Sequence, residues 1–268
     1  MIIRNMPNDE YHAHNSISKS GLDLVARSPA HYRYQEKREP SRAMVIGSAI
    51  HAAILEPEVF VSKYMLLRDV KDRRASEYKQ AVAVYGEEFV LTGKESDYVA
   101  GMQESVRASR SIMTLLEKDG DAELSIFTKD PVTGVEVRCR FDWLTKCGIP
   151  LDLKKTQDAR SDAFGRSVCS YRYHVQEAFY RDVWKWETGE NLDRMRFAAI
   201  EERMPHATMV HKLDDEALNE GRRLYREALN LYAECLERDH WPAYADEEQW
   251  LCLPPWAIET TLEDEEIV

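Results

Sequence analysis

VEVRCRFDWLTKCGIPLDLKK, residues 135–155, alternates apolar and polar side chains with a period of two and reads as two strands around a turn at Gly148. In the first strand Val135, Val137, Cys139 and Phe141 share one face, and Glu136, Arg138, Arg140 and Asp142 share the other. In the second, running from Ile149 to Lys154, the residues Ile149, Leu151 and Leu153 point inward. Asp152 and Lys154 then stand side by side on the opposite face, roughly 6 to 7 Å apart along the strand. One face is expected to be core and the other polar. Upstream, LSIFTKD from Leu124 reaches the turn signals Asp130-Pro131 and Thr133-Gly134, so the three segments form a hairpin followed by a third strand.

Helical patterns lie on either side. Ser16 and Ser18 are candidate N-caps for a helix carrying Leu22, Leu24 and Val25 and stopped by Pro29. Ala43 to Leu55, AMVIGSAIHAAIL, is too long for a typical strand and rich in Ala, so a buried helix ended before Pro57 is expected, with His51 inside it. Residues 64–119 are polar and helical in composition, with an exposed KDRR at Lys71 to Arg74. Tyr173 to Trp186 and Asp214 to Arg238 read as helices, and FAAIEERMPHATMVHKL between them as one or two further strands. With no internal repeat or low-complexity linker, residues 1–268 are expected to form a single α+β domain with N-terminal and C-terminal helical additions.

Composition removes several function classes. Hydrophobic residues at 44% and charged residues at 31% place the chain among folded proteins rather than disordered ones. Apolar runs fall far short of the ~18 residues of a membrane helix, and MIIRNMPNDEYHAHN lacks the apolar centre of a secretory signal, so a cytoplasmic protein with no membrane partner is expected. Five cysteines without a C-x-x-C pair indicate reduced thiols, not a disulfide framework or a zinc site. With 36 Lys and Arg against 48 Asp and Glu, the net charge of −12 argues against coating nucleic acid with the whole surface and leaves room for a local basic groove.

Asp142, Asp152 and Lys154 on neighbouring strands are the residue types that metal-assisted phosphodiester cleavage needs. Mg²⁺ takes one or two carboxylates and completes its octahedron with water and substrate phosphate. A lysine beside it can orient or deprotonate the attacking water, or stabilise the charged phosphorus centre. D-x-K is short, however, and arises often, so by spacing alone it reads as the solvated face of a strand. His51, taken alone, reads as a satisfied core histidine.

RFDWL followed by LDLKKTQDA resembles the D…(D/E)-x-K signature of the PD-(D/E)XK nuclease superfamily, a restriction-endonuclease-like core with a mixed central β-sheet flanked by helices. SISKSGLDLVARSPAHY, GSAIHAAILEP, YHVQEAFY and WPAYADEEQWLCLPPWA, in that order, resemble more narrowly the RecE-type exonucleases (exodeoxyribonuclease VIII) of phages and prophages. The resemblance implies His51, Asp142 and Asp152 as metal ligands, with the Leu153 carbonyl as a further one, and Lys154 as the catalytic lysine. Gln176 and Tyr180 match a Q-x-x-x-Y element that lies beside the active site and share a helix face at i, i+4; a plain amphipathic helix explains them as well. Glu123 stands where such nucleases often place another acid. Lys155 departs from the family pattern, which has Thr there. Arg140, Ser18, Lys19 and Ser20 are further cationic or hydroxyl groups that phosphates could meet.

The function so implied is a Mg²⁺-dependent (Mn²⁺ substituting) double-stranded DNA exonuclease, running 5′ to 3′ on linear duplex ends and leaving 3′ single strands for recombination by annealing. It implies a single-strand annealing recombinase as partner, a homo-oligomeric ring, and residence in the cytoplasm of a bacterial host from a phage or prophage gene. The alternatives are a catalytically silent DNA-end or protein-binding module of the same fold, and a structure-specific endonuclease of the superfamily.

Overall fold

The computed structural model describes residues 1–36 and 40–253. From the amino terminus, strand β1 (Ile2–Ile3) is followed by helices α1 (Asn8–Ala13), α2 (Lys19–Arg27), α3 (Pro29–Arg33), α4 (Arg42–Leu55) and α5 (Pro57–Lys63). Next come β2 (Met65–Leu67), α6 (Ser76–Tyr85), β3 (Val90–Thr92), α7 (Gly93–Ala108) and α8 (Arg110–Leu116). The central strands β4 (Gly120–Lys129), β5 (Glu136–Thr145) and β6 (Pro150–Thr156) follow, then α9 (Ser161–Ser170), α10 (Tyr173–Thr188), β7 (Arg196–Glu201), β8 (Thr208–His211) and α11 (Asp215–Arg238). Of the closing aromatic segment, residues 254–257 and the acidic stretch after them lie outside the described residues.

The hairpin forms where the turn residues demand it. Asp130 is fully buried, and its Oδ2 accepts from the Thr133 amide at 3.0 Å, the Thr133 hydroxyl at 2.6 Å and Arg226 Nη1 at 2.7 Å. Gly134 supplies the positive φ of +73° that closes the loop. The sheet runs β1-β4-β5-β6-β7-β8; every neighbouring pair is antiparallel except β6 with β7, which α9 and α10 connect. A separate parallel pair joins β2 to β3. Mixed sheet and flanking helices are the α+β architecture expected from the sequence.

Helices cover both faces of the sheet. Leu124, Ile126, Val137, Cys139 and Phe141 pack with Leu22, Val175, Phe179, Tyr225 and Leu229 from α2, α10 and α11. Leu151, Leu153, Ala198 and Ile200 pack instead with Ala49 and Ile50 of α4, Met102 of α7 and Ile112 of α8. The expectation of a polar outer face is therefore corrected. Arg138 is buried on it, donating to the carbonyls of His14 and Ser16, because the N-terminal segment lies along β5. The helix ends fall where the sequence puts them: of the two candidate caps Ser18 caps α2, which ends at Arg27 ahead of Pro29, and Pro29 in turn opens α3 at the first helical position, where a missing N–H costs nothing. Among the described residues no helix is long and apolar enough to cross a membrane.

Two contacts fix the helices that frame the sheet's centre. Arg42, the first residue of α4, forks onto Glu95 of α7, Nε to Oε1 at 2.7 Å and Nη2 to Oε2 at 2.5 Å, while Glu95 also caps α7 through the Thr92 amide. Burial opposes ionisation of Glu95, but Arg42 and the Thr92 amide outweigh it and hold its carboxyl at about 2. A depressed folded value stabilises above the ordinary carboxylate pKa and is lost as pH falls through the folded one. Glu95→Gln is therefore expected to cost about 1–2 kcal/mol at pH 7, with the penalty shrinking below pH ~4.5 and gone near pH 2 in denaturant titrations.

The second contact is between α11 and the start of α10. A Cβ on Gly221 would lie 2.1 Å from the His174 carbonyl oxygen. Gly221→Ala should lower stability by about 2 kcal/mol and Tm by roughly 4–8 °C in calorimetry. Gly165→Ala in α9, with nothing within 4 Å of the new carbon, should be neutral or stabilising.

Candidate active site

The site begins where two strands part. β5 and β6 pair at Trp143 with Leu151 and at Leu144 with Pro150, and then β6 follows β7 in parallel from Leu151 to Thr156. Farther along the same edge of β5, Ile17 takes the vacated place, donating to the Glu136 carbonyl at 2.9 Å and accepting from the Arg138 amide at 2.9 Å. Between these two attachments that edge of β5 has no paired strand, which leaves an opening in the ladder. Asp142 fills it: its Oδ2 accepts the Leu153 amide at 2.8 Å, a bond the partner strand would otherwise take. The chain is distorted at this level. Glu123 on β4 has φ of +46°, and Phe141 and Trp143, two residues apart, pack on different cores.

Into the opening α4 brings His51. Its Nδ1 is 3.6 Å from Asp142 Oδ2 and 3.9 Å from Glu123 Oε1, and one ligand atom from each of the three lies within 4.8 Å of the others. Beside them Asp152, 3% exposed, accepts a hydrogen bond from Gln176 Nε2 on Oδ1 at 2.5 Å and is ion-paired through Oδ2 with Lys154 Nζ at 2.5 Å. Lys154 Nζ also sits 4.7 Å from the centre of the Tyr173 ring. Segments as far apart as residues 51 and 176 thus converge on one spot.

The electrostatics follow from crowding. Burial pushes the carboxyls of Asp142 and Asp152 upward, against the pull of His51 and Lys154. Burial would discharge His51, but Asp142 and Glu123 outweigh it and raise the imidazole to about 9. Asp152 and Asp142 likewise hold Lys154 charged against burial. Three carboxylates, Glu123, Asp142 and Asp152, are balanced by Lys154, Arg140 and the protonated His51, so a neutral imidazole acting as a ligand leaves negative charge uncompensated. Carboxylate oxygens with one imidazole suit a hard divalent cation, and such an ion meets the deficit, so the residues fit a metal. Proton and cation compete for His51.

Of the residues singled out in the sequence, His51, Asp142, Asp152, Lys154 and Gln176 are brought together. Leu153 contributes its amide to Asp142; in extended backbone the carbonyl of the same residue faces the same edge, toward the opening. Tyr180 packs edge-on to Phe141 at 5.3 Å, and its hydroxyl makes no hydrogen bond among the described residues. Glu123 stands nearer to His51 than its weak sequence signal suggested. Arg140 is 4.0 Å from Glu123 and lies over the Tyr11 ring at 4.1 Å. Lys155 turns away to Glu202 at 3.5 Å and adds no second cation to the site. Tyr173 was missed, although its place three residues before Gln176, on the same helix face, was a usable signal.

The family model described as a PDDEXK-like domain of unknown function (DUF3799) matches residues 18–252. The chain belongs to this family. Its fold is accordingly the restriction-endonuclease-like one. No curated protein matches it in sequence. Among solved structures, a protein from Eubacterium rectale named as a candidate exonuclease aligns with a TM-score of 0.60 at 14% identity, over 87% of this chain and 88% of that one, a likeness of fold. A phage-related exonuclease from Haemophilus somnus 129PT aligns at 12% identity over 85% of this chain and 98% of that one, with a TM-score of 0.37, too low to add to the assignment.

Proposed function

We propose that this PDDEXK-like chain is a Mg²⁺-dependent exonuclease of the RecE type, resecting linear double-stranded DNA 5′ to 3′ so that the 3′ strand is left for annealing. The observation that carries it is the pair of buried Asp152 and half-buried Lys154, 2.5 Å apart, set against Asp142 and His51 where β5 and β6 part. His51, Asp142, Asp152 and the Leu153 carbonyl would hold the ion, with Glu123 in reach. A bound Mg²⁺ supplies Lewis-acid polarisation of a phosphate oxygen and neutralises charge there.

The remaining chemistry belongs to the side chains. Lys154, held charged by Asp152 and Asp142, donates hydrogen bonds; it orients the attacking water and stabilises the charge that builds on phosphorus. Gln176 locks Asp152 in one orientation and leaves its other oxygen for Lys154 and the ion. Tyr180 supports the sheet beneath them through Phe141. Residues 1–268 act as one nuclease domain in this proposal, assembled as a homo-oligomeric ring in the host cytoplasm and working with a single-strand annealing recombinase. A ring gathers the basic and metal-binding groups of a −12 chain into one channel facing the duplex.

The test compares 5′-labelled linear duplex with the same DNA as a covalently closed circle, with Mg²⁺ and with a chelator. Loss of label from linear DNA in Mg²⁺ alone, with the circle intact, is the expected result. Cutting of the circle would make the protein an endonuclease of the superfamily, and no degradation of either would make it a silent end-binding module.

A further inference from the structure

We propose that Asp23 is a positioning residue for this site: it ties the start of α2 to the start of α10 and thereby sets where Tyr173 and Gln176 stand against Lys154 and Asp152. The inference rests on the nuclease reading above and assigns a role to the S-I-S-K-S-G-L-D segment, which takes no part in the metal cluster.

Asp23 holds two cations at once. Its Oδ2 is 2.7 Å from Lys19 Nζ, one helical turn earlier, and its Oδ1 accepts from Arg172 Nε at 2.8 Å. Lys19 in turn donates to the Tyr171 carbonyl at 2.7 Å. Both ends of the peptide segment 171–172 are thus gripped from α2. That segment needs a grip, because Arg172 has φ of +57° and ψ of +43°, a left-handed conformation that is unfavourable for a non-glycine residue. Such a conformation persists where neighbours over-determine it, and it is found where geometry matters to function.

Arg172 is also where α10 begins. Its carbonyl accepts the Gln176 amide at 3.1 Å, the first bond of the helix, so a rotation at Arg172 turns the whole first helical turn. That turn carries Tyr173, whose ring meets Lys154 and stacks on Phe197 at 5.9 Å, and Gln176, which meets Asp152. Lys19 is 12% exposed and Asp23 and Arg172 are each 27% exposed, so the three charges are sheltered enough to hold geometry and too wet to add much stability. Without the Asp23 charge, Lys19 and Arg172 repel each other and Lys154, and the turn loses its clamp.

Asp23→Asn keeps the volume and removes the charge. On linear duplex in Mg²⁺ the variant should lose about tenfold in kcat with KM for DNA within about twofold. Because Asp23 acts through Tyr173 and Gln176 together, adding Asp23→Asn to the double variant Tyr173→Leu/Gln176→Ala should change kcat by less than about twofold, where independent structural damage would multiply. A readout free of activity is the side-chain amide ¹⁵N–¹H resonance of Gln176, assigned by its absence in Gln176→Ala. It should move in Asp23→Asn and stay in place in Glu95→Gln. A resonance unmoved by Asp23→Asn, wild-type kcat in that variant, or full multiplication of the two losses overturns the proposal. A wild-type protein that leaves linear DNA intact overturns the nuclease reading instead, and the Gln176 resonance still decides the role of Asp23.

Discussion

Lys154→Ala is expected to abolish Mg²⁺-dependent degradation of linear duplex DNA, a loss on the order of 10³-fold, while the far-ultraviolet circular dichroism stays that of the native protein. The ammonium is held by a buried carboxylate at 2.5 Å and is 18% exposed, so water cannot replace it at the same point with the same charge. Removing it strands Asp152 with Gln176 alone. A buried, unpaired carboxylate is costly, but this one has a carboxyl already pushed upward by burial and can take a proton, which limits the stability loss to about 1–3 kcal/mol. Asp152→Ala should remove activity to the same extent from the other side of the pair, because Lys154 then leans toward Asp142 and neither water nor metal is held. Full activity in either variant, at native circular dichroism, refutes the assignment of the pair.

The second large effect is expected at the imidazole. His51→Ala should reduce Mg²⁺-supported activity on the order of 10²-fold, with Mn²⁺ restoring part of it. Mg²⁺ demands a near-ideal octahedron and gives up waters reluctantly, so a missing protein ligand is felt strongly. Mn²⁺ tolerates a looser set. The imidazole is charged below about pH 9 in the absence of a cation, and metal binding has to displace that proton. Affinity for Mn²⁺ in calorimetry should therefore rise with pH through neutrality in the wild type, and the slope should flatten in His51→Ala. Unchanged metal preference and an unchanged pH slope would count against His51 as a ligand.

The sequence was most legible where local chemistry decides structure. The Asp130 turn, the alternation through Cys139 and Phe141, and the Asp152-Lys154 spacing are short-range signals, and the strands lie where they point. The Ala-rich helix around His51 was legible for the same reason. Less legible were features created by distant contacts. β2 and β3 are three residues each and exist because they pair with one another. Ile17 joins β5 because β6 leaves that edge, and nothing within residues 15–18 announces it. The reading of one polar face failed because β4 and β5 twist at Glu123 and Asp142, which sends Leu153 and Cys139 to different cores. Glu123 approaches His51 across a separation of many residues, so its place in the cluster needed the fold.

Central to this account is a divalent cation shared by His51, Asp142 and Asp152. Anomalous scattering from crystals soaked in Mn²⁺ tests it directly. The account predicts one strong peak in the opening between β5 and β6, roughly 2.0–2.5 Å from an imidazole nitrogen of His51 and from oxygens of Asp142 and Asp152. A map with no peak there, and with those side chains turned from one another, would contradict it.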